Sequence, residues 1–204
     1  MQRQIAGLVG GRRAERLTAR LAEASDALAR ERFADARRIS RSLLDELATV
    51  AVAHRVAGLS AYRLGRWREA AVELEAADEL EHSVEHQPVL ADAYRALKRW
   101  KKVDEIWAGI RAESPAHEVM AEGRIVAAGA AADRDDLPGA ITILEPVTKV
   151  KGRVRDHHLR QWYVLADLHD RAGDAIAAAR LFRRVAEHDP DFVDVRARLD
   201  ALGR

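Results

Sequence analysis

The sequence predicts an all-α protein built from antiparallel helix pairs, on the evidence of its composition and of a repeating spacing. Of its 204 residues, 33% are charged and only 5% aromatic, and Ala, Leu, Arg and Glu, which favour helices, are abundant. Equivalent helix positions recur at intervals of 34, 33, 37 and 38 residues, at Ala36, Ala70, Val103, Ala140 and Ala178. A period near 34 residues is typical of proteins that stack helix pairs side by side.

The clearest unit is the stretch 159–192. Its large and small residues follow a fixed spacing, in which a Trp, a Leu and a small residue precede Ala-x-x-x-Phe and a closing Pro. The matching residues are Trp162, Leu165, Ala166, Ala178, Phe182 and Pro190. Gly173 provides a stop for the first helix, and Asp174 can cap the second. The stretch therefore resembles a tetratricopeptide repeat (TPR), with His169 standing where the pattern of that repeat prefers Tyr.

The same pattern extends over most of the chain. The predicted repeats cover residues 17–50, 51–83, 84–117, 121–154 and 159–192. The first is degenerate, as terminal repeats often are, and the third has Lys98 where Gly65 and Gly173 stand in others. The resemblance to the TPR family implies a bacterial-type member with about five repeats. It also implies one right-handed α-α superhelix, a TPR solenoid, over residues 14–204.

Both ends of the sequence depart from the repeat. Residues 1–13 combine three glycines with arginines, and we expect a mobile arm there. Residues 192–203 carry apolar side chains at helical spacing, and we expect a helix that caps the last apolar face of the solenoid. The alternative is that this apolar stripe docks on a partner.

Composition excludes several classes of protein. With a formal net charge of +1, the chain has no overall field that would hold it on nucleic acid or an anionic membrane. The absence of Cys excludes disulfides, thiolate zinc sites and cysteine nucleophiles. No stretch has the length of a membrane span, and the start lacks the ordering of a secretory signal. We therefore expect a cytoplasmic protein.

Candidate chemistry is sparse. His82 and His86 lie four residues apart in an acidic stretch, a spacing that can hold a metal on one helix face. They span the expected end of one repeat just before Pro88, so a solvated loop is the favoured interpretation. No Ser, His and Asp occur at a catalytic spacing, and the phosphate-loop pattern is missing. We predict no enzyme, no metal and no cofactor.

The resemblance implies a binding surface on the concave side, which the first helix of each repeat lines. Clamps for a C-terminal carboxylate need polar or basic residues where this chain has Leu59, Val89, Glu122 and Val126, so a chaperone-tail receptor is not expected. The surface is apolar with a few charges. The predicted partner-binding residues are Val52, Arg55, Val56, Leu59, Tyr62, Arg63, Val89, Asp92, Arg95, Ile125, Val126, Tyr163 and Asp167.

A partner with acidic and apolar side chains would fit this surface, with Arg55, Arg63 and Arg95 orienting it. The predicted function is therefore a protein-interaction scaffold that binds a peptide or helix. The alternative for the surface is a narrow concavity that its own residues or a second copy of the chain fill. The chain could thus be a monomer or a homodimer, and a self-assembling adaptor is a further possibility.

A second class of function rests on the basic N-terminus. Only five of the 34 Lys and Arg residues are Lys. Arginines concentrate at the start of the chain against a single acid, Glu15, and they could contact nucleic acid or a ribosome. They are Arg3, Arg12, Arg13, Arg16 and Arg20. An Arg excess also follows from GC-rich coding, which makes nucleic acid the less favoured partner.

Overall fold

A computed structural model describes residues 2–150 and 152–203. Met1, in the predicted arm, and Lys151, in the fourth predicted repeat, lie outside these ranges. The described residues form twelve α-helices and two short 3-10 turns, and no strand occurs among them. The helices group into two compact units that divide after Arg99. The prediction of one continuous solenoid over residues 14–204 stays a prediction.

The first unit ends at Arg99 and contains two antiparallel helix pairs, α2 with α3 and α4 with α5. The short helix α1 packs on α2, and α6 packs on α5. A 3-10 turn at Val84–His86 leads into α6. The six helices are α1 (Gln2–Leu8), α2 (Gly11–Ala29), α3 (Phe33–Arg41), α4 (Ala51–Arg63), α5 (Trp67–Leu80) and α6 (Gln87–Ala96).

The segment predicted to be a mobile arm, residues 1–13, is helical over most of its described part. Residues 2–8 are helical, and α2 already begins at Gly11. The reason is burial: Ile5 is fully buried in the same apolar cluster as Leu17 and Leu21. One buried Ile thus outweighs the low helix propensity of Gly7, which lies in α1.

The second unit begins at Trp100 and contains the pairs α8 with α9 and α10 with α11. Helix α7 packs on α8, α10 also contacts α8 and α9, and a 3-10 turn at Glu145–Thr148 follows α9. The helices are α7 (Trp100–Glu113), α8 (His117–Ala132), α9 (Leu137–Leu144), α10 (Asp156–Arg171), α11 (Ala175–His188) and α12 (Val195–Leu202).

The last helix covers an apolar face, as the sequence predicts. Helix α12 packs on α11, and its Val195 is 1% exposed. Phe192, Leu199 and Leu202 pack against the same core cluster. The capping role is thus confirmed.

The packing positions of the fifth repeat form the centre of the second unit. Ala178 and Phe182 are fully buried, and so is Trp162, whose Nε1 donates a hydrogen bond to the carbonyl oxygen of Val147 (3.0 Å). The small residue lets α10 and α11 approach, and the large one fills the remaining space. Trp162 is therefore a core residue.

A turn with left-handed backbone follows each of the helices α2, α4, α6, α8 and α10. The residues with positive φ at this position are Glu31, Gly65, Lys98, Asp135 and Gly173. They recur at 34, 33, 37 and 38 residues, the spacings found in the sequence. After each, the next N–H donates to the carbonyl five residues earlier at 2.8–3.0 Å, which is the 6→1 bond of a Schellman motif. The repeat is thus present in the backbone as well as in the side chains.

Lys98→Gly is expected to stabilise the protein by up to about 1 kcal/mol. An L-residue in the left-handed region costs about 1–2 kcal/mol, and Lys98 has φ +56°. Glycine removes that cost, while its greater freedom in the unfolded chain offsets about 0.4–1 kcal/mol. Urea denaturation followed by circular dichroism measures the difference. Ala93→Gly, inside α6, should instead destabilise by at least about 0.5–1 kcal/mol; equal effects of both changes would contradict the turn assignment.

Candidate functional site

Three of the predicted binding residues in the first unit bond to one another. Tyr62 Oη donates to Asp92 Oδ2 (2.6 Å), and Arg95 Nε donates to Asp92 Oδ1 (2.7 Å). Burial, followed by the bond to Asp92, raises the pKa of the Tyr62 hydroxyl. This network joins α4 to α6. The structure thus brings Tyr62, Asp92 and Arg95 together, with their polar groups directed at each other.

Arg55 also lies within the packing of the first unit. Its side chain is 20% exposed, and Nη2 lies 3.8 Å from Glu81 Oε2. That nitrogen is buried without a hydrogen-bond partner among the described atoms. The side chain borders a small space closed by the end of α5 and the start of α6. Arg55 is therefore poorly placed to reach a partner on an open surface.

The aliphatic residues of α4 and α6 differ in exposure. Val56 is 5% exposed and belongs to the core cluster of the first unit, and Val52 packs against that cluster. Leu59 and Val89 are half-buried. Val56 is thus a packing residue, which fits the alternative of a concavity filled by its own side chains.

Arg63 points toward the preceding repeat. Its guanidinium lies 4.5 Å from the ring centroid of Phe33 and 3.7 Å from Glu31 Oε1, with 52% of the side chain exposed. Among the three predicted orienting arginines it is the most exposed.

The second unit holds a larger apolar feature, which we call the apolar groove. It has a volume of about 410 Å³ and lies among α8, α10 and the segment that follows α11. Two predicted residues, Ile125 and Tyr163, line it. The full lining is Ile125, Asp156, Arg160, Tyr163, Val164, Phe192 and Val193.

Tyr163 is fixed as a wall of the apolar groove. Its ring meets Phe182 edge to face at 5.4 Å between centroids and lies 5.9 Å from Phe192. Its hydroxyl donates a hydrogen bond to Asp194. Burial, followed by this bond, raises the pKa of Tyr163 to about 12. The Tyr163 side chain is therefore fixed by contacts at its ring and at its hydroxyl. Little side-chain entropy would be lost when a ligand binds against it.

Val193 is the unusual residue of the apolar groove. Its side chain is 73% exposed, and its backbone has φ +50°. Positive φ is rare for a β-branched residue, and such strain is concentrated at functional sites. The sequence prediction missed Val193 and Phe192 because both lie outside the first helices. The available signal was two consecutive apolar residues, Phe192 and Val193, flanked by Asp191 and Asp194.

Some charged residues near the apolar groove already form ion pairs with other side chains. Arg160 Nη2 donates to Glu122 Oε2 (2.9 Å). Burial raises the pKa of Glu122, and Asp156 adds to the rise while Arg160 opposes it. The predicted Asp167 instead accepts from Arg198 Nη2 (2.7 Å), outside the lining of the groove. Val126, also predicted, is half-buried and does not line the groove.

The histidine pair does not lie on one helix. Helix α5 ends at Leu80, so no continuous helix runs through His82 and His86. Burial, followed by the charge of Arg55, lowers the pKa of His86. No cluster of three or more potential metal ligands occurs in residues 2–150 and 152–203.

The predicted N-terminal arginines lie on α1 and α2, where Arg13 pairs with Glu46 at 2.8 Å.

Known structures share this fold. The chain matches TTC0263, a thermophilic TPR protein in Thermus thermophilus, with a TM-score of 0.64, 15% identity, and coverage of 91% of this chain and 98% of that one. It matches the apo form of the quorum sensor NprR from B. thuringiensis with a TM-score of 0.68, 13% identity and 91% coverage, and spans 58% of that chain. The predicted all-α TPR fold is thus confirmed.

The comparisons by sequence found no match. No protein-family model matches the chain, and no curated protein matches it. None of the described helices is both long enough and apolar enough to cross a membrane.

Proposed function

We propose that the chain is a non-enzymatic protein-interaction scaffold of the cytoplasm, and that the apolar groove binds a peptide or helix. TPR folds generally mediate protein–protein interactions through surfaces presented by their stacked helices. The observation that carries the proposal is an aromatic-walled groove with an exposed, strained Val193 at its side.

The shape and chemistry of the groove favour an apolar side chain as its occupant. A volume of about 410 Å³ is within the range of ligand pockets. Tyr163 and Phe192 offer large apolar contact area at low cost in side-chain entropy. Val193 is already exposed, so covering it removes apolar surface from water without unpacking the core. An aliphatic or aromatic anchor therefore fits between these residues.

Charge at the groove favours an acidic group beside that anchor. Arg160 is half-exposed and binds Glu122 through one nitrogen, and a guanidinium has five N–H donors. A ligand carboxylate can therefore bind Arg160 without breaking the existing pair. Asp156 has the opposite sign and would repel the same carboxylate, which sets the direction of the ligand.

The other predicted surface residues have different roles in this proposal. Val126 offers half-buried apolar surface on α8 of the second unit, whereas Val52, Leu59 and Val89 are half-buried residues of the first unit and take no part in the groove. The Tyr62, Asp92 and Arg95 network holds α4 and α6 in place rather than contacting the partner.

Val193→Glu is expected to weaken peptide binding at least tenfold without unfolding the chain. A carboxylate in place of the exposed valine would place charge beside the anchor and repel an acidic ligand. A displayed library of random peptides, selected on the wild-type chain, supplies the probes. We expect sequences that combine acidic and aliphatic residues, and a loss of binding of at least tenfold in the variant, as fluorescence anisotropy would measure.

Ile176→Glu is the matched variant. Ile176 lies in α11, is 86% exposed and does not line the groove. The selected peptides should bind this variant as they bind wild type. Equal loss in both variants, or none in Val193→Glu with unchanged circular dichroism, would exclude the apolar groove as the binding site.

A further inference from the structure

The second unit contains a basic cleft that the proposed function does not use. It has a volume of about 600 Å³ and lies among α8, the 3-10 turn with the loop after it, and the start of α10. Four cationic side chains line it: Arg124, Lys149, Arg153 and Arg155. Asp and Glu are absent from the described residues that line it. Its floor includes apolar side chains, among them Met120 and Val147.

The positive charge of the basic cleft is only partly compensated by its surroundings. Glu118 lies 3.6 Å from both Arg155 Nη1 and His157 Nδ1. One exposed carboxylate beside four cations leaves an excess of positive charge in a concave space. Such an arrangement concentrates anions, because low-dielectric walls focus the field.

Arg124 is half-buried, whereas Lys149, Arg153 and Arg155 are exposed. Its Nη1 contacts Gln161 Oε1 at 3.4 Å, and its guanidinium lies 6.0 Å from the ring centroid of Trp107. Both are neutral groups, whereas Arg134 and Arg198 of the same unit bind carboxylates. Burial lowers the pKa of Arg124. Holding a cation in partly buried surroundings is unfavourable unless an anion is supplied.

Three histidines add hydrogen-bond donors. The rings of His117 and His157 stack at 6.3 Å between centroids, and His158 lies 4.1 Å from His157. The backbone N–H of Arg155 donates to His158 Nδ1 (3.0 Å). A neutral His158 therefore carries its proton on Nε2, where it can serve as a donor.

We propose that the basic cleft binds a small ligand with a diphosphate or triphosphate group. Phosphate oxygens accept paired hydrogen bonds from guanidinium groups, and several arginines around one cleft match several adjacent phosphates. The volume is that of a small-molecule site rather than of a single ion. Met120 and Val147 offer apolar surface to an organic group attached to the phosphates.

Isothermal titration calorimetry of the full chain with inorganic pyrophosphate tests the proposal at constant ionic strength. We expect saturable binding with one site. Arg124→Gln and Arg155→Gln should each weaken it at least tenfold, since each removes charge-assisted hydrogen bonds. Arg180→Gln removes the same charge from an exposed site on α11 outside the cleft, and should change affinity less than twofold.

Two further measurements complete the test. Arg153→Gln, at an exposed position, should weaken binding even if Arg124→Gln lowers the melting temperature. ADP replaces pyrophosphate in a second titration: tighter binding of ADP identifies an organic diphosphate as the ligand, and equal affinity identifies an inorganic one. The proposal is overturned if pyrophosphate does not saturate one site, if Arg180→Gln weakens binding as much as Arg155→Gln, or if Arg153→Gln and Arg155→Gln leave binding unchanged.

Discussion

Phe182→Ala is expected to lower the free energy of unfolding of the second unit by about 3–5 kcal/mol. Phe182 is fully buried and belongs to the same core cluster as Trp162 and Leu165. Its ring also contacts Tyr163 edge to face, and the Arg198 guanidinium lies 5.1 Å from its centroid. Truncation would leave a cavity that the helices on either side cannot close without losing these contacts.

Urea denaturation followed by circular dichroism and tryptophan fluorescence measures this effect. Ile176→Ala is the matched variant, since Ile176 lies in the same helix but is 86% exposed. Its effect should stay within about 0.5 kcal/mol. Phe182→Ala should also weaken the proposed peptide binding at the apolar groove, because Tyr163 loses the contact with the Phe182 ring. If Phe182→Ala unfolded at the same urea concentration as the wild-type protein, Phe182 would not be a core residue.

The helix pairs were predictable because packing between helices restricts residue size at fixed positions. Ala178 and Phe182 stand four residues apart in α11 and belong to the same core cluster. Because the two positions are close along one helix, the spacing of residues in the sequence is enough to predict that they share a face. Repetition at a nearly constant interval then distinguishes stacked pairs from other all-α folds.

The turns were only partly predictable. Gly65 and Gly173 indicate left-handed backbone, but Glu31, Lys98 and Asp135 adopt it too. Hydrogen bonds back to the preceding helix impose that conformation wherever the chain must reverse, whether or not glycine is present. A search for glycine alone therefore finds fewer turns than the fold contains.

The contacts of the predicted binding residues were the least predictable feature, because several of their partners are distant in the sequence. Arg95 and Tyr62 share Asp92, and Asp167 binds Arg198, which is 31 residues away. Helical periodicity indicates the face of a helix but not the bonds across it. The apolar groove likewise combines α8 and α10 with the segment after α11, which no single repeat contains.

The helix at residues 2–8 was not predicted from the sequence for a related reason. Its glycines indicate poor helix propensity, but the burial of Ile5 depends on the position of α2. Tertiary packing then overrides local preference.

Gly58→Leu is expected to lower the free energy of unfolding of the first unit by about 3 kcal/mol, the upper end of the usual cost of overpacking. Gly58 lies in α4 where α5 crosses it. A β-carbon added there would lie 2.7 Å from Leu74 Cγ and 3.1 Å from the Leu74 backbone nitrogen. The first contact could ease if Leu74 moved, but the second involves the backbone of α5 and requires the helices to separate.

The alanine variants at two helical glycines separate this clash from helix propensity. Replacing glycine by alanine inside a helix favours folding by about 0.5–1 kcal/mol. At Gly109 in α7, where an added β-carbon meets nothing within 4 Å, that gain should appear in full. At Gly58 the contact with Leu74 should offset or exceed it, so Gly58→Ala should be neutral or destabilising by up to about 2 kcal/mol. Stabilisation of equal size at both positions would show that α4 and α5 do not approach closely at Gly58.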